Sequence, residues 1–104
     1  MTSFKNVTVE KMGTLPTGTR IIDVRQPDEF TGELGHLSGA ELVPLEQLES
    51  AAAGWDRGAP LLMVCRSGNR SGRAASSLVQ MGFADVSNLA GGMMAVRAAG
   101  VQVA

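Results

Sequence analysis

Cys65, the only cysteine of the sequence, occurs in the run Val64-Cys65-Arg66-Ser67-Gly68-Asn69-Arg70-Ser71-Gly72. Residues 60–64 before it are apolar and read as a buried strand. From residue 71 to residue 81, Ala74, Ala75, Leu78 and Val79 fall on one face of a helix. Cys65 is therefore expected at the carboxyl end of a strand, with the amino end of a helix a few residues on. The first amides of a helix have no intrahelical partners and carry partial positive charge, which makes an anion site. The same field favours thiolate over thiol. Arg66, Arg70 and Arg73 add positive charge, and no acidic residue lies between 57 and 84. Gly68 permits a bend in which successive N–H groups turn inward, and Ser67 and Asn69 are short polar residues that support it. A lone cysteine is more often a small buried hydrophobe. Here strand end, glycine turn, flanking arginines and helix start coincide, and together they favour a nucleophile.

Two chemistries suit such a nucleophile: transfer of sulfur and transfer of a phosphoryl group. Cysteine phosphatases use C-x5-R, whose arginine grips phosphate oxygens bidentately. Counted from Cys65, that position is Ser71, and Arg70 closes the shorter C-x4-R spacing instead. No well-placed aspartate offers itself as the general acid for phosphoester cleavage. Phosphatase and arsenate-reductase readings rank below sulfur chemistry on these grounds.

The elements that must position Cys65 follow from the same patterning. Residues 20–24 and 60–64 are short, nearly continuous apolar runs, as in strands buried on both faces. Residues 7–9, 40–43 and 84–89 are further strand candidates. Helices are expected at 45–53, 71–81 and 92–99. Strands separated by helices predict an α/β domain with a central, mainly parallel sheet flanked by helices, in three layers. Open sheets of this kind bind ligands beyond the carboxyl ends of their strands.

At 104 residues, 44% of them hydrophobic, the chain suits one domain spanning 1–104. A net charge of −1 gives no global field for nucleic acid or an anionic membrane. The amino-terminal residues carry no apolar signal segment, and the runs are too short to span a bilayer. One cysteine and one histidine exclude an internal disulfide and argue against a structural metal site. A lone free thiol points to a reducing, cytoplasmic setting.

The run CRSGNRSGRAA resembles the active-site loop of the rhodanese family of sulfurtransferases. The stretches IIDVRQPDEF (21–30), GHLSGAELVPL (35–45) and NLAGGMMAV (88–96) are similar to three further motifs of that family, in the same order. The resemblance implies a rhodanese-like three-layer fold and a ping-pong reaction that needs no cofactor or metal. Cys65 would take the outer sulfur of a small anionic donor such as thiosulfate and become a persulfide. A thiophilic acceptor (cyanide, a low-molecular-weight thiol or a sulfur-carrier protein) would then remove it. The backbone of residues 66–70 would cradle the persulfide, and Arg66 and Arg70 would orient the donor. The tighter C-x4-R loop is typical of the family, whose phosphatase-like relatives have one residue more. Asp23 and Arg25 match the family's Asp-x-Arg element and read as a structural pair tying the loop after strand 20–24 to neighbouring turns. His36 reads as structural, Trp55 as packing, and Met93 and Met94 as core or an adaptable patch by the site. The family commonly has tryptophan near Val96, so packing there departs from its pattern.

Overall fold

The computed structural model describes residues 3–104. Five strands form one parallel sheet: β1 (Lys5–Val7), β2 (Arg20–Asp23), β3 (Glu41–Leu42), β4 (Leu61–Val64) and β5 (Val86–Leu89), in the order β1-β5-β4-β2-β3. The helices are α1 (Pro27–Phe30), α2 (Leu48–Ala52), α3 (Asn69–Gln80) and α4 (Gly92–Ala98). The chain leaves β4 towards β5 on one side, and leaves β2 towards β3 on the other. The carboxyl ends of these two neighbouring strands therefore flank the switch point at which open α/β sheets bind ligands.

Strand alternation divides the core between the two faces. Ile22, Val24, Leu61, Met63, Cys65 and Val86 pack with Leu48 and Ala52 of α2 and Ala74, Ala75 and Leu78 of α3. Leu62, Val64 and Leu89 pack on the opposite face with Val9, Leu37, and Met93 and Val96 of α4. All four residues of β4 are buried, as a continuous apolar run predicts for a central parallel strand, and all four of β5 are buried although Ser87 and Asn88 are polar. No helix among the described residues is long and apolar enough to cross a membrane.

Several element boundaries differ from expectation. The first strand is Lys5–Val7, paired with β5 up to Val7 opposite Leu89, and not residues 7–9. Val9 instead opens a 3₁₀ turn, Val9–Thr14, and is itself buried in the second core. The expected helix 45–53 is a 3₁₀ turn, Leu45–Gln47, running into α2. The strand expected at 40–43 shrinks to two paired residues. Helix α3 starts at Asn69, two positions earlier than apolar spacing indicates, because its first turn belongs to the cysteine loop and carries no apolar face. Helix α1 has four residues, too few for any periodicity. Pro27 at its first position and the Glu29 side chain, which accepts from the Gln26 amide as in a capping box, nucleate it.

Candidate active site

Cys65 follows β4 directly and is 1% exposed. The Gly68 amide donates to its Sγ at 3.1 Å. That contact depends on Gly68 standing at φ +104°, a left-handed conformation that side-chain-bearing residues rarely adopt. The Ser71 hydroxyl lies 3.3 Å from the same sulfur. Burial pushes the Cys65 thiol up, but the Ser71 hydroxyl and the amides of Ser71, Gly68 and Ser67 outweigh it and leave the thiol below its ordinary value.

The outer side of the loop is held by α4. The Met93 amide donates to the Cys65 carbonyl at 2.9 Å, and the Met94 amide to the Arg66 carbonyl at 3.0 Å. With the carbonyls turned outward to α4, the loop amides turn inward to the sulfur. Only glycine permits this approach at position 92, since a Cβ there would collide with the Cys65 carbonyl oxygen and the Arg66 carbonyl. The NLAGGMMAV motif is thus a brace for the cysteine loop. Met93 is core, Met94 is 46% exposed, and Val96 is fully buried.

The two loop arginines have different surroundings. Arg70 grips Glu29 of α1 through two hydrogen bonds of 2.7 Å, so it is not a bare cation beside the sulfur. The sequence shows no acidic residue near the loop, but the fold brings one in from the IIDVRQPDEF motif. The Arg70 guanidinium lowers the Glu29 carboxyl to about 2 against the opposing effect of burial, with help from the Gln26 amide. Arg66 is exposed and makes no side-chain hydrogen bond or ion pair among the described residues. Ser67, Asn69 and Arg73 are also exposed.

Asp23 and Arg25 form a fully buried bidentate pair, the shortest contact being 2.7 Å. Arg25 also donates to the carbonyls of Glu29 and Gly35. It therefore orders the turn that carries Glu29, and through Glu29 reaches Arg70. His36 stacks on Phe30 with ring centroids 3.7 Å apart, and its Nδ1 meets the Phe30 carbonyl. Trp55 meets Phe83 edge-on and lies under the Arg20 guanidinium.

Two residues at this site had not been singled out from the sequence. Glu29 was marked by the capping pattern Gln26-Pro27-Asp28-Glu29. Asn88 was marked by being an amide in a buried strand, where each polar atom needs a partner. It makes three: Oδ1 accepts from Ser71 Oγ at 2.5 Å, and Nδ2 donates to Gly68 O at 3.2 Å and to Asn6 Oδ1 at 3.1 Å.

Comparison with known proteins agrees with this fold. The family model described as rhodanese-like domain matches residues 8–99. A thiosulfate sulfurtransferase of Pseudomonas aeruginosa is 35% identical over 91 residues, covering 86% of this chain and 81% of that protein. Among solved structures, a rhodanese-related protein from Thermoplasma volcanium has a TM-score of 0.86 at 22% identity, covering 97% of this chain and 98% of that one. A rhodanese-like domain protein from Staphylococcus aureus has a TM-score of 0.78 at 25% identity, covering 88% and 90% of the two chains. The matched residues take in the strand-end cysteine together with the α1 and α4 contacts that hold its loop, and the chain belongs to the rhodanese-like domain family.

Proposed function

We propose that the chain is a sulfurtransferase that carries sulfane sulfur on Cys65. The Cys65 thiolate attacks the outer sulfur of thiosulfate or a similar small anionic donor. The donor's S–S bond breaks, sulfite leaves with the electron pair, and Cys65 holds a persulfide. A thiophilic acceptor (cyanide, a thiol or a sulfur-carrier protein) then attacks the outer sulfur and Cys65 departs as thiolate. The amides at the start of α3 stabilise the anionic sulfur in both steps, as amides do at an oxyanion. Arg66, exposed and unpaired among the described residues, is the cation available to a donor's sulfonate end, while Arg70 is occupied by Glu29. We assign this activity to a reducing, cytoplasmic setting, where a lone thiol persists.

The observation that carries this reading over phosphoryl transfer is Ser71. It stands where a phosphatase needs an arginine, and its Oγ lies 3.3 Å from Sγ. A site so built supports a sulfur atom and offers no bidentate grip on phosphate.

Incubation with thiosulfate followed by intact-mass measurement tests the proposal. The wild-type protein should gain one sulfur atom, lose it to cyanide as thiocyanate, and show neither step when Cys65→Ser is introduced. Absence of both adduct and thiocyanate would overturn the enzymatic reading in favour of a docking or redox-sensing module. Cys65-dependent hydrolysis of an aryl phosphate would restore the phosphatase.

A further inference from the structure

The hydrogen bonds around Ser71 cannot all exist at once. The Gly68 carbonyl can only accept, so the Asn88 atom facing it is Nδ2, which leaves Oδ1 facing Ser71. That amide oxygen can also only accept, so the single Ser71 proton points at Asn88. The lone pairs of Ser71 Oγ then face Cys65 Sγ, where they can accept an S–H but give nothing to a thiolate. If the hydroxyl turns to a thiolate, Asn88 Oδ1 loses its donor in a residue only 5% exposed.

We infer that the Ser71 hydroxyl is a two-position switch and that Asn88 is a positioning residue holding it in the position that favours an uncharged Sγ. The thiol and the persulfide both have an uncharged Sγ. The free thiolate needs the hydroxyl to turn. Asn88 thus restrains ionisation, and the resulting thiolate is fewer in number but more nucleophilic, since nucleophilicity rises with thiol pKa. For the sulfur-transfer reading, on which this consequence rests, Asn88 also makes Cys65 a poorer leaving group when an acceptor takes the outer sulfur. The other charged groups near the site are Arg70 with Glu29 and Asp23 with Arg25, all paired, the exposed Arg66 with Asp28 and Glu33 lining the same cavity, and the exposed Arg73 on α3. Arg97, on α4, is turned to the Glu33 carbonyl. None is altered by the substitutions below.

The test is a pH titration of thiolate, by ultraviolet absorbance and by the rate of iodoacetamide alkylation. It needs no sulfur transfer, so it fails or succeeds independently of the proposed activity. Asn88→Ala should lower the Cys65 midpoint by about one unit, giving about tenfold more thiolate below both midpoints. Ser71→Ala should raise it. In the Ser71→Ala background, adding Asn88→Ala should leave the midpoint where Ser71→Ala put it. An unchanged or raised midpoint in Asn88→Ala would overturn the inference. So would a fall that persists without Ser71, because the effect would then run through loop loosening. A measurement on the wild-type chain covers the case of variants that do not fold. The side-chain carbonyl carbon resonance of Asn88 should titrate with the thiolate, because its donor departs, and a resonance that does not move would refute the switch.

Discussion

The Glu29–Arg70 pair predicts a pH-dependent link between stability and reactivity that Glu29→Gln would expose. The substitution keeps the shape and the oxygen that accepts the Gln26 amide, removes the charge, and, as protonation would, leaves Arg70 Nη2 without the acceptor it has in Oε2. In the folded chain the Glu29 carboxyl titrates at about 2 instead of its ordinary 4.5. At about 1.4 kcal/mol per unit the full shift would correspond to about 3 kcal/mol. The two side chains are 28% and 33% exposed, so solvent screening reduces the expected value to about 1–2 kcal/mol. The sign follows from linkage. A carboxyl depressed on folding stabilises fully above its unfolded value of 4.5, and loses that contribution as pH falls towards about 2. Urea unfolding of both proteins at several pH values should therefore show Glu29→Gln weaker by about 1–2 kcal/mol at neutral pH. Half the gap should be gone near pH ~3, with near-coincidence by pH ~2. Other carboxylates titrate in both proteins and cancel. Because Arg70 would be released from its partner, the Cys65 thiolate should also gain from the substitution, and alkylation below its midpoint should accelerate. A stability gap independent of pH, or no gap at neutral pH, would refute the reasoning.

Three further outcomes are expected. Arg66→Ala should raise the KM for thiosulfate about tenfold with kcat within about twofold, the loss expected of one charge-assisted contact at an exposed site; steady-state thiocyanate formation measures this, and an unchanged KM would remove Arg66 from donor binding. Ser87 is 1% exposed and its hydroxyl has no hydrogen-bond partner among the described residues, so Ser87→Ala should stabilise the fold by about 1 kcal/mol in urea unfolding. A loss of stability there would mean the hydroxyl is satisfied. Gly92→Ala should cost about 1–3 kcal/mol and slow persulfide loading, because the new Cβ drives the Cys65 and Arg66 carbonyls away from α4. Wild-type loading rates in that variant would show that the brace does not orient the loop.

Cys65 was readable from sequence because its whole argument is local. A buried strand, a glycine turn and a helix start within a dozen residues define its place, and an apolar run marks a central parallel strand whatever surrounds it. The layer order and the parallel sheet follow from similar short-range signals. What escaped the sequence are features decided by partners far along the chain. Val9 has the composition of a strand residue, but pairing of β1 with β5 runs only to Val7 opposite Leu89, and Val9 turns into the second core instead. Helix α1 is set by a proline and a capping box over four residues, with no periodic face to detect. The apparent excess of positive charge after Cys65 was a true statement about neighbours in sequence and an incomplete one about neighbours in space, because Glu29 lies 41 positions before Arg70.

Two of the motifs outside the cysteine loop, residues 21–30 and 88–96, have a common physical purpose. A loop whose amides point at a sulfur must turn its carbonyls elsewhere, and each carbonyl needs a donor if it is buried. Helix α4 supplies two of these donors, to Cys65 and Arg66, and Asn88 supplies the third, to Gly68. The Asp23–Arg25 pair orders the turn from which Glu29 holds Arg70. The loop's inward-facing amides are thus the counterpart of outward-facing carbonyls satisfied by β5 and α4, with its arginine fixed from α1. A cysteine with the same eight following residues, placed in a fold without those donors, would have the composition of this site and not its electrostatics. That is why residues 21–30 and 88–96 carry as much of the chemistry as residues 65–71, although none of them need touch the transferred sulfur.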